Sequence, residues 1–223
     1  APAVMNILDP TQYSDPASPG EIKPLFSGSF EVDLYQYPPA FLALPRPAVA
    51  AGLDFLTIRR LWFAVQSVVL FMAVAFLARW IGGPSGLLAL LLAPVLWLAV
   101  TTRLGLQIGN FQLTAFALAV LAMIAFDRGH AARGGFALGF PAVSKVYPGV
   151  LGVLLLVDRR WTSVAFTLAW GVALTVAAWF MVGSVPFLDF FRYQLPRVAS
   201  AQAFPWIENS DAAAINYGVH GLV

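Results

Sequence analysis

The run GGFALGFPAVSKVYPGVLGVLLLV, residues 134–157, decides how this chain is read. It is apolar over its whole length except for Lys145, which stands between Ser144 and Tyr147 with Pro141 and Pro148 on either side. A charge at the depth of a hydrocarbon layer is expensive, and an ionisable residue inside such a run marks function by default. The plainer alternative is a lysine at a helix end whose stem lies along apolar surface while its head reaches water.

The rest of the chain places this run in a membrane. Of 223 residues 60% are hydrophobic and 11% charged, with mean hydropathy +0.78, where soluble domains carry roughly 25% charge. No charge lies between Arg60 and Arg79, Arg79 and Arg103, Arg103 and Asp127, or Trp161 and Asp189. Each gap holds the roughly 20 residues that a spanning helix needs. The net charge of +2 comes without a basic patch, so no nucleic-acid partner is expected. With no cysteine and only His130 and His220, neither a disulfide nor a metal centre is expected, and no cofactor is called for. The fold class expected is an all-α polytopic membrane protein with re-entrant or broken half-helices.

Three regions follow. Residues 1–35 hold Asp9, Asp15, Glu21, Glu31 and Asp33 against Lys23 alone, and are expected to form an acidic loop on the outer face. Residues 36–182 form the helix bundle, entered through Tyr37-Pro38-Pro39, with broken segments at 82–102 and 134–157. Residues 183–223 form an outer-face tail. The positive-inside rule puts Arg59/Arg60, Arg128/Arg133 and Arg159/Arg160 together on the cytoplasmic side. Leu61 to Ile81 then runs outward, 82–102 dips in and returns, and 134–157 rises to Lys145 and comes back. That arrangement gathers Lys145, Gln107, Asn110 and Arg103, with the acidic first loop and the tail, on one outer, membrane-level cavity, because broken backbone is tolerated at membrane depth only inside protein or along a cavity. Asn110 also has a purely structural reading, as N-cap of the helix after it.

YQYPPAFLALPRP, LQIGNFQLTAFALAVLAMIAF and ARGGFALGFPAVSKVYPGVLGVLLLVDRRW, in that order, resemble the Y-x-Y-P-P, G-Q-x-N and K-x-x-P segments of the family-87 integral-membrane glycosyltransferases of the GT-C superfamily. SKVYPG is also similar to the K-I-Y-P segment of the GPI-anchor mannosyltransferases. The resemblance runs from about Phe30 onward. It implies a GT-C-like enzyme that moves a sugar, often mannose, from a polyprenyl-phosphate donor to a lipid or glycan acceptor. The expected setting is the periplasmic face of a bacterial inner membrane, among membrane lipids.

The resemblance also implies roles. A carboxylate of the first outer loop acts as general base, which here points to Asp33, Glu31 or Asp9. The donor phosphate falls to Lys145 with Tyr147, Arg192 and Arg197. Gln107, Asn110, Tyr37 and Asn209 become substrate-binding candidates, Asn209 through an N-x-S-like segment. Family members carry an N-terminal helix and an Asp before a short VY element, neither of which stands in this sequence, so the chain reads as an internal portion of a longer one. Two other classes compete: a structural subunit of a membrane complex, with no cavity, and a secondary transporter, which should show internal repeats and a cavity at mid-depth.

Overall fold

The structure is a computed structural model, and it describes residues 25–27, 30–32 and 37–199. The chain divides into two units, one of residues 37–182 and one made of the segments before and after it.

In the first unit a 3-10 turn, Pro39–Ala43, follows Tyr37 and Pro38, and its Pro39, Ala40 and Leu42 are buried. Pro45 and Pro47 interrupt the helix there, leaving the short α1, Arg46–Ala50. Asp54 then caps α2, Phe55–Ile81, its Oδ1 accepting from the Thr57 backbone N–H at 3.1 Å and its Oδ2 from the Thr57 hydroxyl at 2.6 Å.

Gly82 and Gly83 turn the chain with positive φ into α3, Gly83–Leu91. A methyl at Gly86 would strike the Ala78 carbonyl, so α3 returns tightly along α2. α4, Ala93–Leu98, and α5, Val100–Ile108, continue after breaks, with a bend of 62° between Gly83–Leu98 and Val100–Ile108. α6, Gln112–Asp127, and α7, Ala131–Lys145, form a hairpin. A 3-10 turn, Tyr147–Val150, and α8, Leu151–Val157, lead back to α9, Trp161–Val182.

α2 and α9 are long and apolar enough to cross a membrane, and the bent pair makes a third span if counted as one. Their outer surfaces carry Phe55, Leu56, Phe71, Trp161, Leu168 and Phe180, all exposed. Large exposed apolar side chains around a helix fit a lipid surround rather than water. The chain is an α-helical polytopic membrane protein.

Two packed clusters hold the unit together. Leu70 and Ala73 of α2 meet Ala117 of α6, and Ala122 and Phe126 of α6 meet Leu138 of α7 and Leu155 of α8. Between α7 and α9 the contact depends on small residues four apart, Gly135 and Gly139 on one side and Thr167 and Gly171 on the other. A Cβ at Gly135 would lie 2.7 Å from the Phe166 carbonyl carbon, and one at Gly139 3.0 Å from the Thr167 oxygen. Lipid gives apolar side chains no reason to leave it, so close backbone approach of this kind replaces the hydrophobic drive.

Hydrogen bonds fix the helix directions, and one expectation is corrected. At one end of α2, Arg59, Trp62 and Gln66 donate to the carbonyls of Gln107, Gly109 and Asn110. At the other end Trp80 Nε1 donates to Asp127 Oδ2 at 2.8 Å. Hence α2 runs parallel to α6, and residues 83–108 cross from one end to the other instead of dipping in and returning. Arg160 donates to the Phe126 carbonyl at the far end, so Arg59 does not share a face with Arg159/Arg160. The physical reason is that Arg59 is an anchor within the second turn of α2, whereas the charge rule counts loop residues.

The second unit contains an antiparallel strand pair, β1, Leu25–Ser27, and β2, Phe30–Val32, in which Phe26 faces Glu31. It also contains α10, Val185–Asp189, a π-helical turn over Phe190–Gln194, and α11, Leu195–Ala199.

Candidate active site

The site is built at the tip where α7 ends. Val146 has φ 63° and ψ −60°, close to the rare strained γ-turn and costly for a β-branched residue. This reversal sets Lys145 and Tyr147 on either side of one strained peptide. Strain of this kind persists only where the surroundings enforce it, and it concentrates at functional sites.

Lys145 Nζ donates to Asn110 Oδ1 at 3.0 Å and to the Tyr37 hydroxyl at 3.2 Å. It also lies 4.5 Å from the centre of the Tyr37 ring, within cation–π range. The Tyr37 hydroxyl in turn donates to Asn110 Oδ1 at 3.0 Å, and the Gln112 backbone N–H donates to the same oxygen at 2.9 Å. The N-cap position of α6 belongs to Phe111 and not to Asn110. Asn110 instead closes a local turn one residue earlier, its Oδ1 accepting from the Gln112 N–H and from the lysine together. Burial holds the Tyr37 phenol above its ordinary range, a backbone hydrogen bond with Phe111 opposes this, and Tyr147 adds to the rise. The hydroxyl stays protonated and able to donate.

Beneath the polar group lies an aromatic floor. Phe41 meets Tyr37 at 5.4 Å and Phe111 at 5.0 Å between ring centres, and Phe111 meets Phe140 at 5.6 Å. Phe111 is fully buried. Lys145 thus sits half-buried above a floor of low polarity, and among the described residues no carboxylate pairs with it. The one ion pair there, Arg160 with Asp158 at 3.7 Å, lies at the far end. A partly desolvated ammonium held by neutral oxygens and a ring face is a receptor for an anion.

Of the other candidates, Tyr147 is exposed beside the tip, its hydroxyl donating to the Gln112 carbonyl at 3.4 Å. Gln107 contributes its backbone carbonyl, to Arg59, and its side chain is exposed. In the second unit Arg192 is exposed on the π-helical turn. Asp9, Asp33 and Asn209 lie outside the described residues, as do the side chains of Glu31 on β2 and Arg197 on α11.

Sequence reasoning missed Trp62, Gln66 and Val146. Gln66 carried a signal, being an amide in the middle of an apolar span. The second unit also holds Asp189, a buried carboxyl that burial pushes up and the charge of Arg192 pulls back.

A groove of about 610 Å³ runs between α7, α8 and α9. Ala142 and Val143, within one turn of Lys145, line it together with Gly149, Val153, Val172 and Val176, and its walls are apolar. Among the described residues no group of His, Asp and Glu is arranged to hold a metal ion.

Compared with known proteins, residues 35–221 match the family model described as Glycosyltransferase family 87. No curated protein matches the chain, and no solved structure does.

Proposed function

This chain belongs to glycosyltransferase family 87 and is a membrane glycosyltransferase, and from that premise we propose that Lys145, Asn110 and Tyr37 hold the phosphate of a polyprenyl-phosphate sugar donor. The sugar is mannose, and the acceptor is a lipid or glycan on the periplasmic face of an inner membrane. The observation that carries the reading is the half-buried Lys145 ammonium, held by two neutral oxygens and by no described carboxylate. An apolar groove within one turn of it supports a donor with a hydrocarbon tail.

In the transfer a base takes the proton of the acceptor hydroxyl, its oxygen bonds to the anomeric carbon, and the bond from that carbon to the phosphate oxygen breaks. Charge grows on the departing phosphate, where a fixed ammonium stabilises the transition state most. Tyr147, Arg192 and Arg197 supply further donors to the phosphate, and Gln107 and Asn209 contact the sugar or the acceptor. The base is Asp33, Glu31 or Asp9 of the acidic loop.

The test supplies membranes bearing the full-length gene product with labelled polyprenyl-phosphate mannose, or with nucleotide-linked mannose while synthesis of the lipid carrier is blocked. Incorporation from the lipid-linked donor alone is the expected result. Incorporation from the nucleotide-linked donor under the block, or none from the lipid-linked one, overturns the donor assignment.

A further inference from the structure

Arg59, Trp62 and Gln66 stand on one face of α2, three and four residues apart. All three donate to the turn joining α5 to α6: Arg59 to the Gln107 carbonyl at 2.7 Å, Trp62 Nε1 to that of Gly109 at 2.8 Å, and Gln66 Nε2 to that of Asn110 at 2.8 Å. The turn fits this face closely. Gly109 has φ +78°, and a Cβ there would lie 3.2 Å from Trp62 Cδ1.

Gln66 is 1% exposed, and its Oε1 has no hydrogen-bond partner among the described residues. A buried amide with one end unsatisfied is costly in an apolar helix, and helix α2 would be more stable with an apolar residue there. What the amide does achieve is to hold the backbone of Asn110. Once that backbone is fixed, Asn110 Oδ1 accepts from Lys145, Tyr37 and Gln112 together. Three donors on one oxygen also fix which way the amide faces. Its Nδ2 is turned away from them, with no hydrogen bond to any described residue.

We infer that Gln66 and Trp62 are positioning residues for the transfer: they hold Asn110 through its backbone so that Oδ1 orients the Lys145 ammonium and Nδ2 is left to donate to the substrate. The inference rests on the donor-site reading above. A positioned charge that stabilises the departing phosphate acts on the chemical step, so loss of the clamp lowers kcat more than it changes KM. A displacement near 1 Å is enough to lower a rate about a hundredfold.

The test measures transfer from labelled polyprenyl-phosphate mannose by the full-length protein, per mole of monodisperse protein, in wild type, Gln66→Met, Asn110→Ala and the double variant. Expected are a fall of about ten- to a hundredfold in kcat for Gln66→Met with KM held, and no further fall when it is added to Asn110→Ala. Losses that multiply in the double variant overturn the inference, because independent residues add in free energy. Gln66→Met at the wild-type rate beside an impaired Asn110→Ala overturns the positioning role alone. Asn110→Ala at the wild-type rate overturns the donor-site reading and this inference with it. Should Gln66→Met fail to accumulate, Trp62→Phe, which keeps a ring and loses the donor, is put through the same cycle.

Discussion

Lys145 Nζ lies 3.0 Å from Asn110 Oδ1, although one residue ends α7, the other lies in the turn between α5 and α6, and they are 35 positions apart. Nothing local brings them together. The contact exists because α6 and α7 pack antiparallel, so that the second residue before α6 meets the last residue of α7. A cation so held is oriented before any substrate arrives, which is the condition for electrostatic stabilisation without reorganisation.

Tyr37 contributes two separable things to that orientation, a hydroxyl and a ring face. Tyr37→Phe keeps the ring under the ammonium and removes one hydrogen bond to each partner. A lost hydrogen bond to a charged group is worth about 1.5–3 kcal/mol, so transfer is expected to fall about tenfold or more. Tyr37→Ala also removes the cation–π contact and is expected to fall further. Rates for the two variants at equal protein level check the order, and equal losses would assign the whole effect to the hydroxyl.

The hairpin that carries Lys145 depends on contact between α7 and α9. Gly135→Leu places a side chain where even a Cβ comes within 2.7 Å of the α9 backbone. Overpacking costs typically about 1–3 kcal/mol, and more where backbone must move. The expected outcome is a clear drop in thermal stability in detergent and in membrane abundance. Gly152→Ala serves as the comparison, because nothing lies within 4 Å of its added methyl, and it should behave like wild type.

Val146 sets strain against precision. Val146→Gly relieves a positive φ that costs about 1–3 kcal/mol, while the freer unfolded chain takes back part of the gain. Stability should therefore stay near that of wild type. Transfer should fall, since the tip no longer fixes Lys145 against Tyr147. Melting temperature and rate measured on the same preparation separate these effects, and a fall in both would contradict the reading of the turn as a positioning device.

The parts of the site legible in the sequence are those where polarity interrupts an apolar run. Lys145 in 134–157, Asn110 before α6 and Tyr37 before the proline pair all stood out, and the structure gathers these three. The crossing of 83–108 was not legible, because Gly82, Gly83 and Pro94 break a helix equally well in a hairpin and in a bent span. The placement of Arg59 went wrong for a related reason. A charge rule treats every arginine near a helix end as a loop charge, and this guanidinium is instead bound to the Gln107 carbonyl. Trp62 and Gln66 are not legible because the span between Arg60 and Arg79 is recognised by its lack of charge, and that criterion passes over a single uncharged amide.

The most direct measurement is sugar transfer by the full-length protein from labelled polyprenyl-phosphate mannose, with Lys145→Ala beside wild type at matched membrane abundance. Removal of one charge-stabilising donor from such a site lowers turnover by about a hundred- to a thousandfold, and a loss of that size is the expected result. Lys145→Ala at the wild-type rate would contradict the central claim, and would leave the lysine as a structural support for the Tyr37–Asn110 contact.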